Sequence, residues 1–453
     1  MTQQSQSLRQ QLFHMTLPML IGMLAVSSCQ LVDSAFIGQL GAQPLAVVGF
    51  SIPIYQLIIG IQVGLGIATT AIISTALGAN KNTYAKQLGA LIIVTGFILI
   101  SMLCLILWSA QQFIVVNLGG DTALFPFVRE YWFPWLISCW LGAMLYFGFS
   151  IFRAHGETRF PGIVLVLVSI INMVLDPLFI FVLDMGLAGA AWATVCAFSA
   201  GCIIIFAGIH RKDLIRLPDT MVTITAGVKR LLSFMAASML SQFIPPLSGL
   251  IATGVVAFYG NDAVAAWGLA SRIEFFSIII VLSLTMAMPP MIGKLRGSNQ
   301  LTQIDQLVRI AVSFVMLSQL ALTVITVLFS SPLSRALTTE SSIADILHEY
   351  LWLVPLSYGG LGISMLIVSA CSAMGMPALA LLISALRLFS CYLPLLWLGS
   401  EIAGLTGLFI GAMTGNLIAG YLSWQLYKKR LTLLHSQYPT VVNPLAENLL
   451  TAS

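Results

Sequence analysis

The sequence predicts an all-helical membrane protein in which twelve transmembrane helices form two six-helix bundles. Hydrophobic residues make up 58% of the 453 positions and charged residues only 8%, against about 25% charged in soluble proteins. The mean hydropathy is +0.98, and the apolar runs are continuous, which excludes an outer-membrane barrel of alternating strands. A soluble enzyme, a nucleic-acid-binding protein and a disordered regulator are excluded, because so few charges could not cover a soluble fold of this length.

Twelve apolar spans occur along the chain, and each reaches the roughly 20 residues that a helix needs to cross a bilayer. Prolines inside several spans mark candidate kinks or local unwinding. The spans are 12–37, 44–78, 84–110, 122–153, 160–183, 186–209, 229–259, 263–293, 303–330, 343–371, 377–399 and 404–427. The lipid bilayer is therefore the expected surroundings of the protein.

The positive charges predict the orientation. An even number of spans places both termini on one side, and most of the 20 Lys and Arg residues fall in or near segments on that side. Because positive residues accumulate in cytoplasmic loops, both termini are predicted to be cytoplasmic in a bacterial inner membrane. Asp121 and Asp184 then fall on the external side.

The two halves of the chain resemble each other. Residues 41–49 align with 260–268, and the same offset places Gly78 on Gly297. With six spans in each half, the repeats share one topology and are related by a pseudo-two-fold axis along the membrane normal, as in several transporters. The predicted division is an N-lobe at 1–210, a cytoplasmic linker at 211–226, a C-lobe at 227–430 and a cytoplasmic tail at 431–453.

The sequence lacks the motifs of nucleotide-driven pumps and of membrane enzymes. No GxxxxGK[ST], HExxH or GxSxG pattern occurs, so transport is expected to draw on an ion gradient and no enzyme activity is expected. The seven cysteines lie in apolar runs and form no CxxC pair, which predicts buried small hydrophobes without a disulfide framework or a metal centre. No organic cofactor is expected.

Two acidic residues lie inside spans of the N-terminal half, where an ionisable residue is costly and is a functional candidate. Asp33 lies in the first span and Asp176 in the fifth, with Asn172 one helical turn before Asp176 on the same face. Thr194 lies in the sixth span. Asp33, Asp176 and Thr194 lie roughly 6, 10 and 12 Å below the external ends of their helices. Two carboxylates, an amide and a hydroxyl are therefore predicted at a similar depth.

A shared pocket of this kind favours cation binding. Two carboxylates in a low dielectric stay ionised together only at high cost, so either one takes a proton or a cation binds between them. The oxygen atoms of Asp33, Asn172, Asp176 and Thr194 suit Na⁺ and suit a protonated acid equally well, which leaves H⁺ and Na⁺ open. The alternative is structural: Asp33 caps the end of the first span, and Pro177 places Asp176.

The C-terminal half carries Arg272 and Glu274 in the eighth span and Arg387 in the eleventh. Glu274 and Arg387 fall near mid-membrane, where they form either an ion pair that holds the C-lobe together or a polar wall of a central substrate cleft. Arg272 and Glu274 are two residues apart and do not face each other on a helix. Tyr55 in the second span supplies a ring on which an aromatic cation can stack.

Three stretches carry a resemblance to a known family. Pro18 with VDSAFIGQLG at 32–41, INMVLDPLFI at 171–180 and GLAGAAWAT at 186–194 resemble multidrug and toxic compound extrusion (MATE) transporters. The N-x-x-x-D pair and the acid in the first span resemble the DinF-type branch of that family. The likeness covers the whole chain, including the mid-length linker between two six-helix lobes.

The resemblance implies roles for residues at the matching positions. It implies that Asp33, Asn172, Asp176 and Thr194, with the backbone at Ala190 close by, form a cation site in the N-lobe. It also implies antiport, in which H⁺ or Na⁺ enters while organic cations or other amphipathic xenobiotics leave. Bending of the first helix near Pro18 is expected to accompany protonation.

Two other functions compete with this one. A flippase for lipid-linked precursors, from the wider superfamily, would be expected to have extra spans or a strongly basic central cavity, and here only Arg272 and Arg387 could supply one. A membrane-embedded enzyme would need clustered His or an acid pair near the cytoplasmic face, whereas these acids lie toward the other side. We expect a drug/cation antiporter that acts as a monomer and has an outward-opening central cleft.

Overall fold

The computed structural model describes residues 3–117, 124–218 and 221–437, and the regular structure in these ranges is helical throughout. Predicted features at Asp121, at 219–220 in the linker and at 438–453 in the tail lie outside the described residues. The first half contains α1 (Gln3–Gly38), α2 (Ala42–Gly78), α3 (Asn82–Ser109), α4 (Phe125–Ala154), α5 (Arg159–Val182) and α6 (Gly186–Arg211). The second half contains α7 (Met221–Ala257), α8 (Asn261–Gly297), α9 (Leu301–Leu328), α10 (Ser341–Ala373) and a last segment, Pro377–Leu434.

The last segment is a helical hairpin. Ala403 (φ −137°, ψ 26°) and Gly404 (φ 61°, ψ −140°) are non-helical, and glycine takes such a positive φ without strain. A Cβ on Gly407 would lie 2.0 Å from the carbonyl oxygen of Gly399, so α11 (377–402) and α12 (405–437) pack with their backbones in contact. The described residues therefore contain the twelve spans that the sequence predicts.

Helix α12 extends beyond residue 430, the predicted end of the C-lobe. It continues to Gln437 and buries Leu431 and Leu434 in a core cluster with residues of α8, α9 and α10. The start of the predicted tail, 431–437, is therefore packed helix.

Because the number of spans is even, both ends of the helical array lie on one side, which we call the proximal side. The α1–α2 and α7–α8 turns lie on the opposite, distal side. These distal turns are built alike, since Gly41 and Gly260 have φ of 108° and 100°. The proximal turns match as well, with φ of 59° at Asn80 and 57° at Asn299. The sequence repeat is therefore a repeat of backbone conformation.

The two lobes touch on the proximal side and part toward the distal side. Gly78 of α2 meets the Lys294 carbonyl of α8, and Gly297 of α8 meets the Thr75 carbonyl of α2; a Cβ on either glycine would lie 2.1 Å from that oxygen. Gly49, earlier on α2, lies within about 20° of Gly78 around the helix, because 29 residues separate them at about 100° per residue. No neighbouring atom of the described chain lies within 4 Å of a Cβ at Gly49.

The first helix of each lobe is shared between the lobes. The proximal part of α1 buries Leu8 and Leu12 in a core cluster of the C-lobe. The proximal part of α7 buries Leu231 and Phe234 in a core cluster of the N-lobe. Each lobe thus holds the beginning of the other lobe's first helix.

Pro18 lies where α1 changes its packing partner. A Cβ on Gly162 of α5 would lie 2.6 Å from the Pro18 carbonyl oxygen, and a Cβ on Gly22 would lie 3.0 Å from the side chain of Leu165. The residues from Pro18 onward therefore pack on the N-lobe, whereas Leu12 packs in the C-lobe. Helix α1 is continuous through Pro18 in this conformation.

The fifth helix of each lobe contains a π-helical segment. It covers Leu178–Val182 in α5 and Leu386–Tyr392 in α11. Pro177, which lacks a backbone N–H, directly precedes the first segment and disfavours the regular hydrogen-bond pattern. Segments of this kind occur frequently at functional sites, and here the first follows Asp176 and the second contains Arg387.

Candidate functional site

The N-lobe gathers polar side chains at the end of α5. Asn172 and Asp176 lie one turn apart just before the π-helical segment, and they are 5% and 1% exposed. Nδ2 of Asn172 donates a hydrogen bond to Oδ1 of Asp176 at 3.0 Å. Because an unpaired buried polar group is costly, this bond fixes the amide and the carboxyl group relative to each other.

Helix α6 adds a hydroxyl group to the same cluster. Its start approaches α5 closely, since a Cβ on Gly189 would lie 2.6 Å from the Phe179 carbonyl oxygen. Oγ1 of Thr194 lies 3.5 Å from Nδ2 of Asn172 and donates to the Ala190 carbonyl oxygen at 3.0 Å. The backbone at Ala190 therefore belongs to the cluster through Thr194.

Helix α1 supplies a second carboxyl group and a thiol. Asp33 and Asp176 are close enough for their carboxyl groups to interact directly. Sγ of Cys29 lies 3.7 and 3.9 Å from the two carboxyl oxygens of Asp33 and 3.1 Å from Oδ1 of Asn172. Helices α1, α5 and α6 thus bring together all the residues proposed for the cation site.

Cys29 is a member of this cluster that the sequence interpretation missed. A cysteine in an apolar run predicts a small buried hydrophobe, and Cys29 is indeed only 5% exposed. The available signal was its position four residues before Asp33, which places both side chains on one helix face.

Asp176 has an unpaired buried oxygen. Its Oδ2 has no hydrogen-bond partner within the described ranges, and the ion pairs found there join other residues. The adjacent carboxyl group of Asp33 carries no donor unless it is protonated. The cluster therefore fits a proton or a small cation, either of which would satisfy this oxygen.

The four residues predicted for the substrate cleft are distributed over several places. Oη of Tyr350 donates to Oε2 of Glu274 at 2.9 Å, and Glu274 interacts electrostatically with Arg387. Arg272 is exposed on α8, and Tyr55 is 38% exposed on α2. Of these four, Arg387 lines the cavity between the lobes.

This cavity has a volume of about 300 Å³ and is lined by both lobes. Tyr146 and Arg153 of α4 line it from the N-lobe, and Met286 and Arg387 line it from the C-lobe. The Arg153 guanidinium lies 5.0 Å from the centre of the Tyr146 ring. The described lining residues include two arginines and no Asp or Glu, so the wall is positively charged. The sequence interpretation did not select Arg153 as a cleft residue, because it falls at the end of a span.

Two pseudosymmetric six-helix lobes around a central cavity, with an acid pair buried in one lobe, define a multi-pass membrane transporter. A family model described as MatE matches residues 18–178 and 237–398. The chain belongs to this family of MATE transporters, which are transport proteins rather than enzymes.

Individual relatives agree with this assignment. The chain is 48% identical to the Vibrio cholerae MATE transporter VcmN in its bent form, covering 96% of this chain and 99% of that one, with a TM-score of 0.94. A Shewanella oneidensis protein named FAD transporter is 28% identical, covering 92% of this chain and 94% of its own length. The Staphylococcus aureus multidrug export protein MepA is 22% identical over 93% of this chain and 94% of its own.

Proposed function

We propose that the protein is a secondary antiporter of a bacterial inner membrane that exports organic cations and other amphipathic xenobiotics as H⁺ enters. Both termini are then in the cytoplasm, the proximal side is cytoplasmic and the distal side is external. The observation that carries the proposal is the unpaired Oδ2 of Asp176 next to the carboxyl group of Asp33. Relatives named multidrug export and multidrug resistance proteins support export of xenobiotics.

A proton changes the interaction between α1 and α5. When Asp33 is protonated, its O–H can donate to Asp176, and the pair carries one negative charge. When the proton leaves, two carboxylates face each other in a site of low dielectric and repel. Proton occupancy therefore draws together, or pushes apart, the two helices that carry the acids.

Pro18 connects the acid pair to the contact between the lobes. The residues before it are anchored in the C-lobe through Leu8 and Leu12, and the residues after it pack on α5 and carry Asp33. A helix bends readily at proline, because one backbone hydrogen bond is missing there. We therefore expect a change at Asp33 to reach the proximal contact through α1, and this contact must open before substrate can enter from the cytoplasm.

The test is transport in proteoliposomes loaded with ethidium, with a proton gradient and a sodium gradient imposed separately. The wild-type protein should move ethidium against the direction of proton flow. Asp33→Asn should reduce the rate of proton-driven ethidium transport by at least about tenfold, which corresponds to an activation free energy about 1.4 kcal/mol higher. Asp184→Asn is the matched control, because Asp184 is exposed and its φ of 51° suits Asn as well. Absence of gradient-driven movement by the wild-type protein would refute the proposal.

A second candidate substrate is FAD or a related anionic flavin. The positive wall formed by Arg153 and Arg387 favours an anion, and one relative bears the name FAD transporter. Arg387→Gln in the same proteoliposomes separates the candidates. If the substrate is a flavin, this variant should lose flavin export; if the substrates are cationic drugs, ethidium export should be kept or increased.

A further inference from the structure

We propose that the Cys29 thiol acts as a positioning group that holds the Asn172 amide in the orientation that favours H⁺ over Na⁺. This inference rests on the proposed cation-coupled transport and concerns the choice of the coupling ion. The inference is based on the contact between Cys29 of α1 and Asn172 of α5 in the acid cluster.

The thiol has one hydrogen and a clear nearest acceptor. Sγ of Cys29 lies 3.1 Å from Oδ1 of Asn172, against 3.7 and 3.9 Å from the oxygens of Asp33. The hydrogen is therefore donated to Oδ1 of Asn172. Because Cys29 and Asn172 are each 5% exposed, water competes little for this bond.

The bond determines which end of the amide faces the acids. With Oδ1 turned toward the thiol, Nδ2 points to Oδ1 of Asp176 at 3.0 Å and to Oγ1 of Thr194 at 3.5 Å. Asn172 thus presents its hydrogen-bond donors to Asp176 and Thr194. A thiol is a weak donor, but the alternative orientation would also place the amide oxygen against a carboxyl oxygen.

This orientation affects the two candidate ions differently. A hard cation such as Na⁺ needs several oxygen ligands, and the amide oxygen of Asn172 already accepts the thiol hydrogen of Cys29. A proton needs only the carboxyl oxygens of Asp33 and Asp176. The amide orientation therefore removes one ligand from a sodium site and leaves the proton site intact.

Removing the thiol hydrogen should release the amide. In Cys29→Ala or Cys29→Val, Oδ1 of Asn172 loses its donor, and only the bond from Nδ2 to Oδ1 of Asp176 still opposes the rotation that offers the amide oxygen to Na⁺. Cys202→Ala is the matched control. Cys202 lies on α6 of the same lobe, is 8% exposed, and donates its thiol hydrogen to the Leu141 carbonyl oxygen at 3.4 Å.

The test measures thermal unfolding of the purified protein in increasing NaCl, with choline chloride at equal ionic strength as the reference. In both Cys29 variants, the sodium concentration that gives a half-maximal rise in Tm should fall at least about tenfold relative to the wild-type protein, which corresponds to about 1.4 kcal/mol of binding free energy. Cys202→Ala should behave like the wild type. Equal sodium responses in the wild-type protein and in both Cys29 variants would overturn the inference.

A transport measurement distinguishes this inference from the proposed function. The Cys29 variants should gain export driven by a sodium gradient, which the wild-type protein should lack. If the wild-type protein exports nothing under either gradient, the proposed function fails, and the thermal measurement alone still decides the role of Cys29. Alanine removes side-chain volume and valine adds it, so a folding defect confined to one of the two variants would leave the other to decide.

Discussion

The carbonyl oxygen of Lys294 on α8 lies 2.1 Å from the position that a Cβ of Gly78 on α2 would occupy. The pseudo-two-fold axis repeats this contact between Gly297 and the Thr75 carbonyl. Nζ of Lys294 also donates to the His155 carbonyl oxygen, at the end of α4, at 3.1 Å. The proximal closure is therefore a backbone contact between the lobes that leaves no room for a side chain.

Gly78→Ala should shift the protein away from the conformation that is closed on the proximal side. A Cβ rarely approaches a carbonyl oxygen closer than about 3 Å, so α2 and α8 must separate. This effect opposes the ordinary preference for alanine, which stabilises a helix by about 0.5–1 kcal/mol relative to glycine. Spin labels on Gln43 and Asn261, measured by electron–electron double resonance, should report a shorter distal distance. Gly49→Ala has open space around its Cβ and should leave the distance distribution unchanged; an equal shift in both variants would contradict this explanation.

Asn172→Ala should weaken proton-driven export without creating sodium-driven export. The change removes the donor to Oδ1 of Asp176 and leaves a second carboxyl oxygen of that residue unpaired, at a cost of about 1–3 kcal/mol. We expect the export rate under a proton gradient to fall by roughly fivefold to a hundredfold. A loss confined to sodium-driven transport would instead make Asn172 a sodium ligand.

Acid should loosen the proximal closure through His155. Burial lowers the pKa of His155, and the positive charges of Lys294 and Lys86 lower it further. The hydrogen bond to the Ile151 carbonyl and the negative charge of Glu157 raise this pKa, but burial has the largest effect. Because the folded pKa is lower than the unfolded one, the contribution to stability is complete above about pH 6.5 and is lost as the pH falls toward the folded pKa. Opening the closure would expose His155 and move it away from Lys294 on α8, so the closed conformation should become less populated below about pH 6.5.

This pH effect is measurable once the acid pair no longer titrates. Proximal accessibility of an introduced cysteine should be followed between about pH 8 and pH 5 in the Asp33→Asn, Asp176→Asn double variant, a range that spans the ordinary pKa of histidine. His155→Gln keeps a donor for the Ile151 carbonyl and should remove the dependence. His14→Gln, which changes an exposed histidine on α1, should retain it.

Gly407→Ala should destabilise the α11–α12 hairpin. Its Cβ would lie 2.0 Å from the Gly399 carbonyl oxygen, and the helices can separate only by losing the backbone contact. Overpacking of this kind costs about 1–3 kcal/mol, which should appear as a lower Tm in detergent. Gly268→Ala, where no described neighbour lies within 4 Å, is the control; equal Tm values for the two variants would argue against a tight hairpin.

The spans and the repeat could be predicted from the sequence because both depend on local patterns. Continuous hydrophobicity defines a span wherever it occurs, and the turn glycines Gly41 and Gly260 recur because a positive φ favours glycine. The depth of Asp33 and Asp176 in their helices was likewise sufficient to predict that they would meet.

Other features depend on contacts between distant segments and could not be predicted in this way. Arg153 falls at the end of a span, yet packing of α4 makes it 4% exposed and places it on the cavity wall. The role of Cys29 depends on the direction in which the Asn172 amide faces. The first helix of each lobe exchanges its beginning with the other lobe, so that Leu12 is buried in the C-lobe and Leu231 in the N-lobe. No hydrophobic pattern in the sequence predicts this exchange.

This exchange limits how the transporter can cycle. The two lobes cannot move as independent rigid bodies, because separating them on the proximal side would pull Leu12 and Leu231 out of the cores that bury them unless the helices that carry these residues bend. The rate of turnover must then depend partly on how easily α1 and α7 bend. These helices contain Pro18 and Pro245, each between the part that packs in the opposite lobe and the part that packs in its own lobe. A stiffer α1 or α7 would slow the cycle even with every ion and substrate contact intact.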